Sequence, residues 1–181
     1  MSQYPRAAIV ALCCAAAWAA VPPALADHYK VSFARARQDD DGAMRLANVE
    51  ATLTPDNGRI RLSRAAGDSG LYHGWAGFLT SIEGRDAAGR PLELVYEGAG
   101  VWRVAPHPRG EVRLRYSMNL QHDRFRNEPG DDELAYARPY GVMWTARALF
   151  MEGAPSENVT VAFDLPPGWR VSTPWQPAPG G

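Results

Sequence analysis

Between Glu111 and Gln121 the chain alternates without a break, with Val112, Leu114, Tyr116, Met118 and Leu120 at even positions and Arg113, Arg115, Ser117 and Asn119 at odd ones. Successive side chains of an extended strand point to opposite faces, so this run reads as a strand with one face buried and one in water. A helix could not segregate it, because period two scatters apolar groups around a 3.6-residue turn. Shorter stretches repeat the pattern: Tyr29, Val31 and Phe33; Val49, Ala51 and Leu53; Ile60 and Leu62; Phe78, Thr80 and Ile82; Leu92, Leu94 and Tyr96; Trp102 and Val104; Val142 and Trp144; Val159, Val161 and Phe163; Trp169 and Val171. Turn-forming clusters punctuate them at Asp39-Asp40-Asp41-Gly42, Pro55-Asp56-Asn57-Gly58 and Asp86-Ala87-Ala88-Gly89, and a hairpin is expected about Asn57-Gly58. The spacing predicts an all-β fold, an antiparallel β-sandwich of about nine or ten short strands, because one open sheet leaves its apolar face uncovered. The polar stretch His122 to Tyr140 reads as a long surface loop with a helical turn near Leu134 to Ala137.

The amino end follows another logic. Arg6 precedes an uncharged apolar run from Ala7 to Val21, then Pro22-Pro23 and the small-residue triplet Ala24-Leu25-Ala26. That order is a secretory signal peptide over residues 1–26, cleaved between Ala26 and Asp27. A spanning helix needs about 20 apolar residues, and this run is shorter and ends in a proline pair, so no stable membrane span is expected after processing. Cys13 and Cys14 both lie inside it, so the processed chain has no thiol for a disulfide, a metal or a nucleophile. Acylation at either cysteine is the weaker alternative, because Leu12 and Cys13 stand where a small residue is wanted. The 181 residues less the first 26 leave 155, one domain over 27–173 and a Pro/Gly-rich tail or linker over 174–181. Removing Arg6 from the 19 basic residues leaves 18 against 20 acidic, which argues against nucleic acid as a partner. The expected location is periplasmic or extracellular.

Chemical motifs are sparse. Gly67-Asp68-Ser69-Gly70 resembles the nucleophile segment of serine proteases, but only His28 precedes Ser69 in a chain of one-domain size. His28, His73, His107 and His122 are scattered, with no His-Glu pair followed by a second His, so neither a metal site nor a cofactor is expected. His107 reads as a loop residue between Pro106 and Pro108, and His122 beside Asp123 as a solvated strand end. Asp39-Asp40-Asp41-Gly42 lacks the first carboxylate and closing Glu of a calcium loop, and Asn158-Val159-Thr160 is a formal glycosylation sequon at a strand start. Tyr72, His73 and Trp75 occupy the glycine-studded segment Gly70 to Gly77, where aromatics either contact a ligand or partner or cap the core.

Four segments, in this order, resemble the amino-terminal domain of the glycyl aminopeptidase family of zinc metallopeptidases. They are Asp86-Ala87-Ala88-Gly89-Arg90-Pro91-Leu92 with Val101-Trp102-Arg103-Val104; Val112 to Tyr116; Tyr140 to Trp144 through Ala148-Leu149-Phe150; and Leu165-Pro166-Pro167-Gly168-Trp169-Arg170-Val171-Ser172-Thr173. The resemblance runs from about His28 to Trp175. Where family members carry a Pro-Gly-Ser-Tyr-like segment before the Asp-Gly turn, this chain has Asp68 to Trp75. The resemblance implies a domain that precedes a catalytic one, with the zinc ligands and general base supplied downstream.

Two functions are therefore expected. The first is a non-catalytic accessory domain, truncated or stand-alone, that packs on a zinc peptidase catalytic domain in cis or in trans and shapes access of a peptide substrate. The second is a free-standing exported module that binds a peptide or glycan through the segments Gly70 to Gly77 and His122 to Tyr140. No catalytic residue is assigned to this chain in either case.

Overall fold

The computed structural model describes residues 26–36, 41–63, 74–122 and 135–177. Eleven strands are found among them: β1 Ala26–Ala34, β2 Leu46–Leu53, β3 Arg59–Leu62, β4 Leu79–Asp86, β5 Pro91–Gly98, β6 Val101–Ala105, β7 Val112–Asn119, β8 Tyr136–Arg138, β9 Gly141–Met143, β10 Met151–Glu152 and β11 Asn158–Asp164. A 3₁₀ helix, Gly74–Phe78, and one helical turn, α1 Ala146–Leu149, complete the described elements. Residues 1–25 of the expected signal peptide, Tyr72, His73 and the segment 123–134 lie outside the described residues, whereas Ala26 opens β1.

The fold is nearly all β, as the alternation requires, but it is not an antiparallel sandwich. Nine strands join in one curled mixed sheet, in the order β10-β3-β6-β5-β4-β7-β2-β1-β11, and β8 and β9 form a separate pair. The last strand, β11, runs parallel to β1, from Ala26 opposite Asn158 to Ser32 opposite Asp164. The sheet covers its own apolar face by curling. The β4–β5 hairpin is paired only next to its turn, at Gly84–Leu92 and Arg85–Pro91, so the two halves of the sheet diverge from that corner. Inward residues from both halves then share one core, among them Val31, Val49, Leu53, Ile60, Leu62, Trp102, Val104, Leu114 and Met118. Each fully buried side chain of this size contributes about 1.5–3 kcal/mol.

Local predictions and strand pairing part company at Pro55-Asp56-Asn57-Gly58. The turn is there: Asp56 and Arg59 exchange backbone hydrogen bonds, with Asn57 at φ 49° and Gly58 at φ 74°. A Cβ on Gly58 would meet the His107 ring at 2.2 Å, so glycine is needed for space as well as for φ. The expected hairpin of β2 with β3 is absent, because β2 lies between β1 and β7 while β3 lies between β6 and β10. The turn carries the chain from one half of the sheet to the other. Two further expectations fail. The region of the expected helical turn holds strand β8, and Trp169 to Val171 is not a strand, since Pro166, Pro167 and Gly168 at φ 83° form a turn closed by Trp169 N–H to Pro166 O at 3.1 Å. Trp169 instead packs on Phe33, ring centroids 6.3 Å apart.

Candidate functional site

The alternation that buries Val112 through Leu120 continues one step further than expected. His122 is the next inward position and is fully buried, not a solvated strand end. Its ring lies 3.7 Å from that of Phe78 and 5.3 Å from that of Trp75, both contributed by the 3₁₀ helix. Nδ1 accepts the Ala135 N–H at 3.1 Å, so Nε2 carries the proton and donates to Asn119 O at 2.7 Å. The neutral imidazole thus ties the end of β7 to the approach to β8. It brings the end of the Gly70 to Gly77 segment against both ends of the segment that follows His122. These are the two segments the sequence marks as recognition loops, and the structure roots them at one point.

Of the three aromatic contact residues expected in the first segment, Trp75 alone is described. Its ring is 1% exposed, inside the core, and its Nε1–H has no acceptor among the described residues. Outward display falls instead to the β8–β9 hairpin, where Tyr140 is 87% and Met143 52% exposed. Sequence reasoning did not single these out as contact residues. The signal available was Tyr140 in a turn next to Gly141, and Met143 at the end of a three-residue strand too short to bury it.

The outer face of β1, β2, β4 and β7 forms a shallow hollow of about 550 Å³ lined by Lys30, Asn48, Glu50, Glu83, Arg115 and Asp164. Its charges pair with one another or with a neighbour: Arg115 with Glu50 at 3.2 Å, Lys30 with Asp164 at 3.6 Å, and Glu83 with Arg85 at 3.9 Å. Exposed pairs of this kind contribute little to stability and leave no net charge to attract an ion.

At one end of the core, Asp27 is the first inward-facing residue of β1 and is 7% exposed. Burial raises its carboxyl above the ordinary value; His28 opposes that shift, and Glu111 and Glu152 add to it. The described histidines do not converge: His28 bonds Thr160 Oγ1 at 2.5 Å on the outer face, and His107 is exposed in its loop. No group of three or more His, Cys, Asp or Glu is placed to hold a metal among the described residues. No described helix is long and apolar enough to cross a membrane.

Residues 28–181 match the Peptidase M61 N-terminal domain family. The chain belongs to that family. The M61 amino-terminal domain is thus the resemblance carried by the turn-and-strand segments from Asp86 onward, those of a glycyl aminopeptidase-like peptidase. In three dimensions the chain is similar to an aminopeptidase N family protein from Idiomarina loihiensis, at 16% identity and a TM-score of 0.53. The likeness covers 78% of this chain and 22% of that one, so the chain spans about a fifth of that protein's length, and at this identity it shows the fold alone. No curated protein matches the chain.

Proposed function

We propose that this chain is the non-catalytic accessory domain of an exported glycyl aminopeptidase-like zinc peptidase, packing against the catalytic domain and shaping the approach of peptide substrate. The observation that carries the proposal is the family match across residues 28–181, which takes in the described sheet from the third residue of β1 onward. Two features support it. The described residues offer no metal-ligand set, so zinc chemistry would be supplied by another domain, in cis or in trans. The β8–β9 hairpin holds Tyr140 and Met143 outward beside the His122 hub, the form of an apolar knob that a neighbouring domain covers.

The test is direct. Reading the gene beyond the Gly181 codon should reveal a His-Glu-x-x-His helix within one domain's length, or a separate gene encoding it. The corresponding catalytic domain, expressed alone, should bind this chain. Tyr140→Ser with Met143→Ser should weaken that binding at least tenfold while the melting temperature stays within about 2 °C, because surface substitutions change stability little. Absence of any such partner, or binding indifferent to both substitutions, would remove the accessory reading or the hairpin's part in it respectively.

A further inference from the structure

The two edges of the nine-stranded sheet end differently. At one edge β10 has two residues, too few to template another strand; at the other β11 has seven, Asn158–Asp164. An edge strand turns alternate N–H and C=O groups away from its neighbour, and natural proteins blunt such edges with lysine, proline or a bulge within the strand. β11 has none of these. It pairs with β1 in unbroken register and carries one charge, Asp164, while Pro155, Pro166 and Pro167 stand outside it. No described strand pairs with its far edge. The register exposes an anomaly as well. Val159 lies opposite buried Asp27, Val161 opposite Tyr29 and Phe163 opposite Val31, so all three share the inward parity, yet Val159 is 59% exposed. The described sheet ends before that side chain is covered.

We propose that the far edge of β11 takes β11 of a second copy of this chain, antiparallel about a two-fold axis at Val161, so that two nine-stranded sheets become one. The strand is self-complementary under that operation. Val161 meets its own counterpart, Val159 meets Phe163 of the second copy, Thr160 meets Ala162, and Asn158 meets Asp164. On the inward side apolar groups face apolar groups, and the exposed Val159 is covered by an aromatic ring, a favourable cross-strand combination. At the strand ends the Asn158 amide faces the Asp164 carboxylate, donor to acceptor, and no like charges oppose each other. Register is fixed by the same parity. Opposed residues share a face, so the pairing can slip only in steps of two, and each step leaves two residues of each strand unpaired. The contact uses the same surface on both copies and therefore closes at a dimer instead of growing into a fibre. One pair of strands lies at the small end of stable interfaces, so association depends on concentration. This goes beyond the accessory reading and does not depend on it, since the β8–β9 hairpin takes no part.

The experiment uses the full chain with Cys13→Ala and Cys14→Ala, which removes its only two cysteines. Thr160→Cys and Ala162→Cys are then made in separate chains; both positions are exposed on the outer face. Opposed residues lie within disulfide reach, whereas a residue and its own counterpart two positions off lie about 7–8 Å apart and do not. Mild oxidation of the mixed chains should therefore give a disulfide-linked dimer, and oxidation of either chain alone at least tenfold less. In sedimentation the parent should pass from monomer to dimer as its concentration rises. Thr160→Lys with Ala162→Lys sets lysine against lysine across the axis and should leave a monomer whose melting temperature stays within about 3 °C of the parent. Mixing that variant with Thr160→Glu and Ala162→Glu chains should restore a dimer. A monomer at every concentration with no preference for the mixed disulfide would overturn the proposal and leave the edge to a strand of another protein. A dimer indifferent to the lysine substitutions, or one broken instead by Tyr140→Ser with Met143→Ser, would overturn it too, by placing the contact elsewhere.

Discussion

The ring of His122 lies against that of Phe78 with centroids 3.7 Å apart, across 44 residues of sequence, and both of its nitrogens bond to backbone. The contact joins the 3₁₀ helix to the ends of β7 and β8, so one side chain serves as packing and as a backbone bridge. His122→Ala should cost about 3 kcal/mol, from a lost buried ring and two backbone groups left without their partner. His122→Phe keeps ring volume and should still lose about 2 kcal/mol through the stranded Ala135 N–H. Urea unfolding measures both. Hydrogen exchange at the Ala135 amide should accelerate in both variants, which a pure packing role would not produce in the Phe variant.

A second pair of buried groups separates donor from acceptor. Tyr116 donates to Leu149 O at 2.9 Å and accepts the Met151 N–H at 3.1 Å, whereas Tyr29 only donates, to Met151 O at 2.6 Å. Tyr116→Phe leaves a buried N–H unpaired and should cost about 2–3 kcal/mol; Tyr29→Phe should cost about 1 kcal/mol, since a carbonyl tolerates partial satisfaction better. Burial raises both phenols well above the ordinary value of 10. For such a group, stability is full below pH 10 and is lost as pH climbs toward the folded value, so alkaline melting curves should fall less steeply in Tyr116→Phe than in the parent.

The acid side has its own marker. Asp41 bonds both terminal nitrogens of Arg45 and accepts the Ala43 N–H at 3.0 Å, and the Arg45 hydrogen bond is the main reason its carboxyl is lowered to about 2. A depressed carboxyl contributes stability that is present above its unfolded value of 3.8 and disappears as pH falls through the folded one. Asp41→Asn should therefore melt slightly below the parent at pH 7 and together with it near pH 2. The exposed position keeps the difference small and sensitive to salt.

What was legible in the sequence follows from the range of each interaction. The alternation of β7 is written within one strand and survived intact, as did the left-handed turn at Asn57-Gly58. Pairing is not local. Nothing in Asn158 to Asp164 says that β11 will lie parallel to β1, and a two-residue turn cannot announce that the strands on either side will join different neighbours. Four-residue α1 is too short to display a helical period. The burial of His122 and of Asp27 was legible and was missed. Both fall on the inward parity of their strands, His122 after Leu120 and Asp27 before Tyr29, and residue type was allowed to override parity.

The tightest backbone approach gives the sharpest contrast. A Cβ on Gly153 would stand 2.0 Å from Thr54 O, the oxygen that accepts the Ala154 N–H at 2.7 Å, so the side chain cannot be admitted without breaking the link between β10 and the end of β2. Gly89 has the positive φ of 82° but open space around its Cβ direction. Gly153→Ala should thus lose about 3 kcal/mol or fail to fold, while Gly89→Ala should lose about 1 kcal/mol, the cost of a left-handed alanine alone. The two variants are to be compared by urea unfolding at neutral pH. Equal losses would mean that β10 shifts freely, and that the sheet edge beside Thr54 is not fixed as the structure places it.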